Sequence, residues 1–126
     1  MSDVAQSMPT VLTVDDSITI QQLVKQTLEP DYRVIVTGNV VGALSVIYRE
    51  PIAVLLLDVL MPEVDGLEFC RTLRRLPQFQ TLPVIMITSK DSPFDRIQGR
   101  LAGATEYLTK PFEPDQLRQM VGKFVQ

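Results

Sequence analysis

The chain has 126 residues, 45% hydrophobic and 21% charged, with a net charge of −3. That is enough apolar material for one packed domain and excludes a disordered chain; no apolar run approaches the ~18 residues of a membrane span, and MSDVAQSMP at the start shows neither the basic nor the apolar region expected of a signal peptide. The sequence contains no histidine, which excludes Ser-His and Cys-His nucleophile pairs, histidine zinc sites and histidine general bases.

Residues 1–9, MSDVAQSMP, read as a short flexible tail, and residues 10–126 as the domain. A first apolar run, TVLTV (10–14), precedes Asp15-Asp16-Ser17. Ile20, Leu23, Val24, Thr27 and Leu28 then repeat at helical spacing until Pro30. RVIVT (33–37) follows, and Asn39 is placed to cap a helix whose apolar face is Val40, Ala43, Leu44, Ile47 and Tyr48. AVLLL (53–57) runs straight into Asp58. Asp65-Gly66-Leu67-Glu68 resembles a capping box for a third helix that ends by Pro77. PVIMIT (83–88) precedes Ser92-Pro93-Phe94-Asp95, a cap, an N1 proline and an acid at N3. TEYLT (105–109) precedes a fifth helix opened by Pro114, with Leu117, Met120, Val121, Phe124 and Val125 on its apolar face.

Five strands alternating with five helices predict a parallel sheet with helices on both faces. Runs 10–14, 53–57 and 83–88 are nearly continuously apolar, as central strands are. Runs 33–37 and 105–109 carry Arg33, Thr37, Glu106 and Thr109, which places them at the edges. Cys70, the single cysteine, reads as a small inward-packed helix residue in a reducing compartment. Arg71, Arg74 and Arg75 read as a solvated helix face rather than a nucleic-acid patch.

In such a sheet, function collects at the C-terminal ends of the strands. There the sequence delivers Asp15-Asp16, Asp58, Thr88-Ser89-Lys90 and Thr109-Lys110-Pro111. Three converging carboxylates repel one another unless a cation joins them. An all-oxygen set of this kind is what Mg²⁺ prefers. A carboxylate nucleophile, a hard cation, the Lys110 amine and the Thr88 hydroxyl together suit phosphoryl transfer to a carboxylate. Singly, each piece has a plainer reading: a cap pair, turn residues, a Lys-Pro loop.

The ordered set VDDS (14–17), LLLDVLMPEVDG (55–66), MITS (86–89) and YLTKPF (107–112) resembles the response-regulator receiver domains of two-component signalling, over about residues 10–125. The resemblance implies a flavodoxin-like (βα)5 doubly wound parallel sheet with strand order 2-1-3-4-5. It makes Asp58 the phosphoacceptor and Asp15, Asp16, Asp58 and the Leu60 carbonyl the Mg²⁺ ligands. It assigns Lys110 to the phosphoryl group, Thr88 and Tyr107 to a switch in which the ring swings inward, and a cis bond to Lys110-Pro111. It also implies that Leu60 and Lys90 flank the path of an attacking water, where they are expected to tune phosphoryl lifetime. The implied donor is a phosphohistidine on a sensor histidine kinase or phosphotransfer domain in the cytoplasm. Output passes to an effector, or to a second copy, through helix 4, strand 5 and helix 5 around Ile97, Leu101 and Tyr107. No nucleic acid or membrane is expected to bind this domain, and its only catalysis is its own phosphorylation and dephosphorylation.

Family members often carry proline where this chain has Ile18, a change expected to affect the start of helix 1 more than the chemistry. Three rivals are weaker. An aspartate-nucleophile phosphohydrolase wants an acid two residues past the nucleophile, where this chain has Leu60. A flavin electron carrier wants a Gly- and hydroxyl-rich phosphate loop, where Asp15-Asp16 would repel the phosphate. A degenerate receiver that acts only by binding usually lacks one of the acids or the lysine, and none is missing. Met1 is read as a natural start; whether the chain stands alone or is one domain of a longer regulator stays open.

Overall fold

The computed structural model describes residues 8–62 and 64–125. The expected tail lies outside the described residues through residue 7; Pro9 already accepts a hydrogen bond from the Arg33 N–H at 2.9 Å. The main sheet is parallel and has five strands: β1 (Thr10–Val14), β2 (Arg33–Thr37), β3 (Val54–Asp58), β4 (Val84–Thr88) and β5 (Glu106–Thr109), in the order β2-β1-β3-β4-β5. The helices are α1 (Ile18–Leu28), α2 (Val40–Arg49), α3 (Gly66–Arg75), α4 (Pro93–Ala102) and α5 (Pro114–Gly122). This is the expected flavodoxin-like fold.

The three central strands are buried on both faces, which is why their sequences are runs rather than alternations. Leu12, Leu55, Leu57 and Met86 point to one side, where Ala43, Ile47, Phe69 and Leu73 of α2 and α3 cover them. Val11, Leu56, Ile85 and Ile87 point to the other, against Val24 and Leu28 of α1 and Leu117 and Val121 of α5. Cutting a side chain such as Leu56, fully buried, to alanine costs about 2–5 kcal/mol.

Asn39 caps α2 by accepting from the Gly42 N–H at 2.7 Å. Ser92 and Asp95 form a reciprocal capping box on α4. At α3 the expected box is only half made: Asp65 accepts from the Leu67 N–H at 2.9 Å, while Glu68 turns to Arg71 at 3.0 Å. Helix α5 stops at Gly122, so Phe124 and Val125 reach the core from beyond the helix end. A two-residue antiparallel ribbon, Leu60–Met61 against Val64–Asp65, lies between β3 and α3.

The arginine cluster is not one solvated face. Arg74 folds inward and donates to the Gly103 carbonyl at 2.9 and 2.8 Å, to the Phe79 carbonyl at 2.8 Å and to Thr105 Oγ1 at 3.3 Å. Its fork satisfies the Gly103 carbonyl at the end of α4 and the Phe79 carbonyl of the short 3-10 turn after α3, tying both to the residue before β5. Gly103 closes α4 at φ 112°, a conformation that favours glycine. Cys70 is fully buried as expected, and burial pushes its thiol pKa up.

Candidate phosphoacceptor site

Sheet register brings the acids together. Val14 pairs with Leu57, so the next residue of each chain, Asp15 and Asp58, emerges side by side at the C-terminal edge. Asp58 is the last residue of β3, opposite Ile87, rather than the first beyond it. Asp15 and Asp58 are buried, at 2% and 5% exposure, and Asp16 faces solvent. One carboxylate oxygen from each of the three lies within 4.8 Å of the others.

Local structure pins each acid. The Asp15 N–H donates to the Thr37 carbonyl at 3.0 Å, and its Oδ1 accepts from the Ser17 N–H at 2.9 Å. Ser17 is also the N-cap of α1, accepting from the Ile20 N–H at 3.3 Å. Gln21 donates to the Asp15 carbonyl at 2.5 Å. The Oδ1 of Asp58 accepts from the Leu60 N–H at 3.0 Å.

Lys110 follows Thr109, whose partner across the sheet is Thr88. The Lys110 N–H donates to the Thr88 carbonyl at 2.8 Å, which aims the side chain back over the acids. Its Nζ donates to Asp15 Oδ2 at 3.0 Å and lies 3.7 Å from Asp58 Oδ2. The Lys110-Pro111 bond is cis.

Burial pushes the Asp58 carboxyl up from 3.8 to about 6. The Leu60 N–H and Lys110 oppose that rise, and the charges of Asp15 and Asp16 add to it. A divalent cation would offset the mutual repulsion of the three carboxylates. Octahedral Mg²⁺ with oxygens at about 2.1 Å sets its ligands about 3–4 Å apart, so a set spanning 4.8 Å needs only a small contraction. The donor set is all carboxylate and therefore suits a hard cation.

The remaining expected positions form the rim. Thr88 is fully buried, and its Oγ1 accepts from the Lys90 N–H at 3.2 Å. Leu60 is 48% exposed, and it lines a cavity of about 480 Å³ with Val59, Met61 and Lys90. Tyr107 already lies inward: its ring is buried and its phenol donates to the Lys90 carbonyl at 2.7 Å. Burial pushes the Tyr107 phenol pKa up.

Sequence reasoning gave no role to the Leu60 N–H, Ser17, Gln21 or Arg96. A serine just before the first helical turn is a legible cap signal for Ser17. Backbone donors and long side chains reaching across elements leave no pattern in the sequence.

Beyond the site, α4 presents Phe94, Ile97 and Leu101 at 67%, 56% and 73% exposure. Among the described residues, no helix is long and apolar enough to cross a membrane.

Comparison with known proteins agrees with this architecture. The response regulator receiver domain family matches residues 11–122. Response regulator Rre1 of Synechocystis sp. is 36% identical over 113 residues, 88% of this chain and 49% of that protein. The alkaline phosphatase synthesis transcriptional regulatory protein PhoP of Bacillus subtilis is 38% identical over 112 residues, 88% of this chain and 46% of that protein. The chain spans about half the length of these two relatives. The chemotaxis protein CheY4 of Vibrio cholerae superposes with a TM-score of 0.88 at 35% identity, covering 94% of this chain and 100% of that one. By motif, fold and matched length, the chain belongs to the response regulator receiver domain family.

Proposed function

We propose that the chain accepts a phosphoryl group on Asp58 from a phosphohistidine of a sensor kinase or phosphotransfer protein in the cytoplasm, and that the acyl phosphate switches a protein-binding surface. The observation that carries this is the buried Asp58 carboxylate, with two more acids and Lys110 converging on it.

Asp15, Asp16, Asp58 and the Leu60 carbonyl would hold Mg²⁺, and the bound ion supplies charge neutralisation for oxygens that become more crowded during transfer. A carboxylate oxygen of Asp58 attacks phosphorus, the P–N bond breaks, and the imidazole leaves with the electron pair. The Leu60 N–H holds Asp58 in one orientation, so the attacking group is fixed before the donor arrives. Lys110, already 3.7 Å from Asp58, stabilises negative charge on the transferred group. The apolar strand beneath limits water, which protects the acyl phosphate. Leu60 and Lys90 at the cavity wall set how fast water returns and cleaves it.

The product adds up to about two negative charges at the lip. Thr88, one strand away, offers a hydroxyl to the new oxygens, and doing so draws on its bond from the Lys90 N–H. That couples the site to Tyr107 through the Lys90 carbonyl, and so to the α4–β5–α5 face. The exposed stripe of Phe94, Ile97 and Leu101 is the surface an effector or a second copy would cover.

Size-exclusion chromatography with Mg²⁺ and beryllofluoride, alongside ¹⁹F NMR of the bound mimic, tests this. A bound fluoride signal that needs both Mg²⁺ and Asp58 is expected, and an Asp58→Asn protein that binds the mimic equally well would sink the reading.

A further inference from the structure

Tyr107 is held by more than its own strand. Its phenol donates to the Lys90 carbonyl at 2.7 Å. The Arg96 guanidinium lies over its ring, 5.2 Å from the centroid. The same guanidinium donates through Nη2 to Thr109 Oγ1 at 2.7 Å, on the strand that carries the tyrosine. Below the ring, one turn along α4, stands Gly99. A Cβ there would sit 2.8 and 2.9 Å from the ring's Cε1 and Cδ1, and 3.3 Å from Met86 Sδ. Only a residue without a side chain lets the ring lie this deep against α4.

Each piece has a separate cause, and they converge. A planar guanidinium can stack on an aromatic face and donate at its edge at the same time, which an ammonium group cannot do in one place. Arg96 and Gly99 are three residues apart, hence on one face of α4. The contacts also close a circuit around the site's exit. Thr88 Oγ1 accepts from Lys90, the Lys90 carbonyl accepts from Tyr107, Arg96 covers Tyr107, and Arg96 binds Thr109, the neighbour of Lys110. Lys110 in turn faces Asp15 and Asp58.

We propose that Arg96 is a positioning residue that, with the Gly99 notch, holds the Tyr107 ring inward before Asp58 carries a phosphoryl group. The Lys90 segment, β5 and α4 then respond as one body rather than through a free tyrosine swing. The proposal rests on the receiver reading of Asp58 and Tyr107, and it adds the regulation of that site: the tyrosine's resting position is set from α4, not from the phosphoryl group.

The chain has three tyrosines and no tryptophan, so Tyr32→Phe with Tyr48→Phe leaves Tyr107 as the sole tyrosine fluorophore. Acrylamide quenching of its emission is measured without and with Mg²⁺ and beryllofluoride. In the otherwise unaltered chain, quenching is expected to be low and nearly unchanged by the mimic. Arg96→Met removes both the stacked cation and the bond to Thr109, which shifts the inward-to-outward ratio by about tenfold. Quenching should then rise, and the mimic should lower it again; a role confined to stability would not make it depend on the mimic. Gly99→Ala should raise quenching in the same direction, and Arg100→Met, on the same helix, should leave it low. Low quenching in Arg96→Met, or high quenching in the parent, overturns the proposal. Intact mass after acetyl phosphate treatment of the same samples reports Asp58 chemistry separately. A parent that gains no phosphoryl group refutes the receiver reading, whatever the tyrosine does.

Discussion

Burial disfavours the charge on Asp58, and its removal gives a signed prediction. In the unfolded chain its carboxyl titrates near 3.8; in the fold burial holds it at about 6. Between those values the folded protein keeps a proton that the unfolded chain has released. Stability contributed by this group therefore falls as pH rises through the window, and stays low above it. A shift of roughly two units corresponds to about 3 kcal/mol, and water entry at the strand lip reduces that to about 1–2 kcal/mol. Asp58→Asn keeps the shape and still accepts from the Leu60 N–H. In EDTA at pH 8 the variant should be more stable than the parent by about 1–2 kcal/mol, a rise in Tm of about 4–8 °C. At pH 3.5, where Asp58 is protonated in the fold and mostly protonated in the unfolded chain, the difference should nearly vanish. Adding Mg²⁺ at pH 8 should stabilise the parent far more than the variant, narrowing or reversing the order. Urea unfolding at the two pH values, with and without Mg²⁺, measures all of this. A variant no more stable than the parent at pH 8, or equally advantaged at pH 3.5, would show that the buried charge is not strained as described.

Other perturbations have distinct signatures. Lys110→Met should lower the rate of Asp58 labelling by acetyl phosphate about 100-fold, yet tighten Mg²⁺ binding in calorimetry, because a competing cation has left Asp15 and Asp58; weaker Mg²⁺ binding would contradict the assigned electrostatics. Thr88→Val should still be labelled but lose the effect of beryllofluoride on the amide spectrum of α4 and β5, and an unaltered response would remove Thr88 from the switch. Gly103→Ala should cost about 1–2 kcal/mol in urea unfolding with labelling intact, because its φ is 112° and a Cβ would meet Arg74 Cγ at 2.6 Å. Arg74→Met should cost about 2–3 kcal/mol by leaving the Gly103 and Phe79 carbonyls without their donor, and a neutral result would mean that water replaces the guanidinium there.

The fold was legible because its signals are local and repeated. Continuous apolar runs marked β1, β3 and β4 as doubly covered strands, Asn39 and the Ser92–Asp95 box announced their helices, and the polar ends of the strands pointed to one edge. Convergence of Asp15 and Asp58 also followed, since parallel strands of matched length must deliver their next residues side by side. What stayed hidden depends on distance along the chain. Arg74 looked like one of three surface arginines, and only the structure shows Gly103 and Phe79 beneath it. Arg96 drew no expectation at all from the sequence, and nothing in its neighbours announces a ring from β5. The Leu60 ribbon escaped because two residues are too few for a period-2 signal. Tyr107 was expected to swing inward upon switching, whereas its ring is already seated against Gly99.

The central claim is that Asp58 takes a phosphoryl group with the help of a divalent cation held by its acidic neighbours. Intact-mass spectrometry after incubation with acetyl phosphate tests it most directly, on the parent chain and Asp58→Asn, each with Mg²⁺ and with EDTA. The account predicts a single phosphoryl adduct on the parent with Mg²⁺, and none in the other three samples. An adduct on Asp58→Asn equal to the parent's, or undiminished labelling in EDTA, would contradict it.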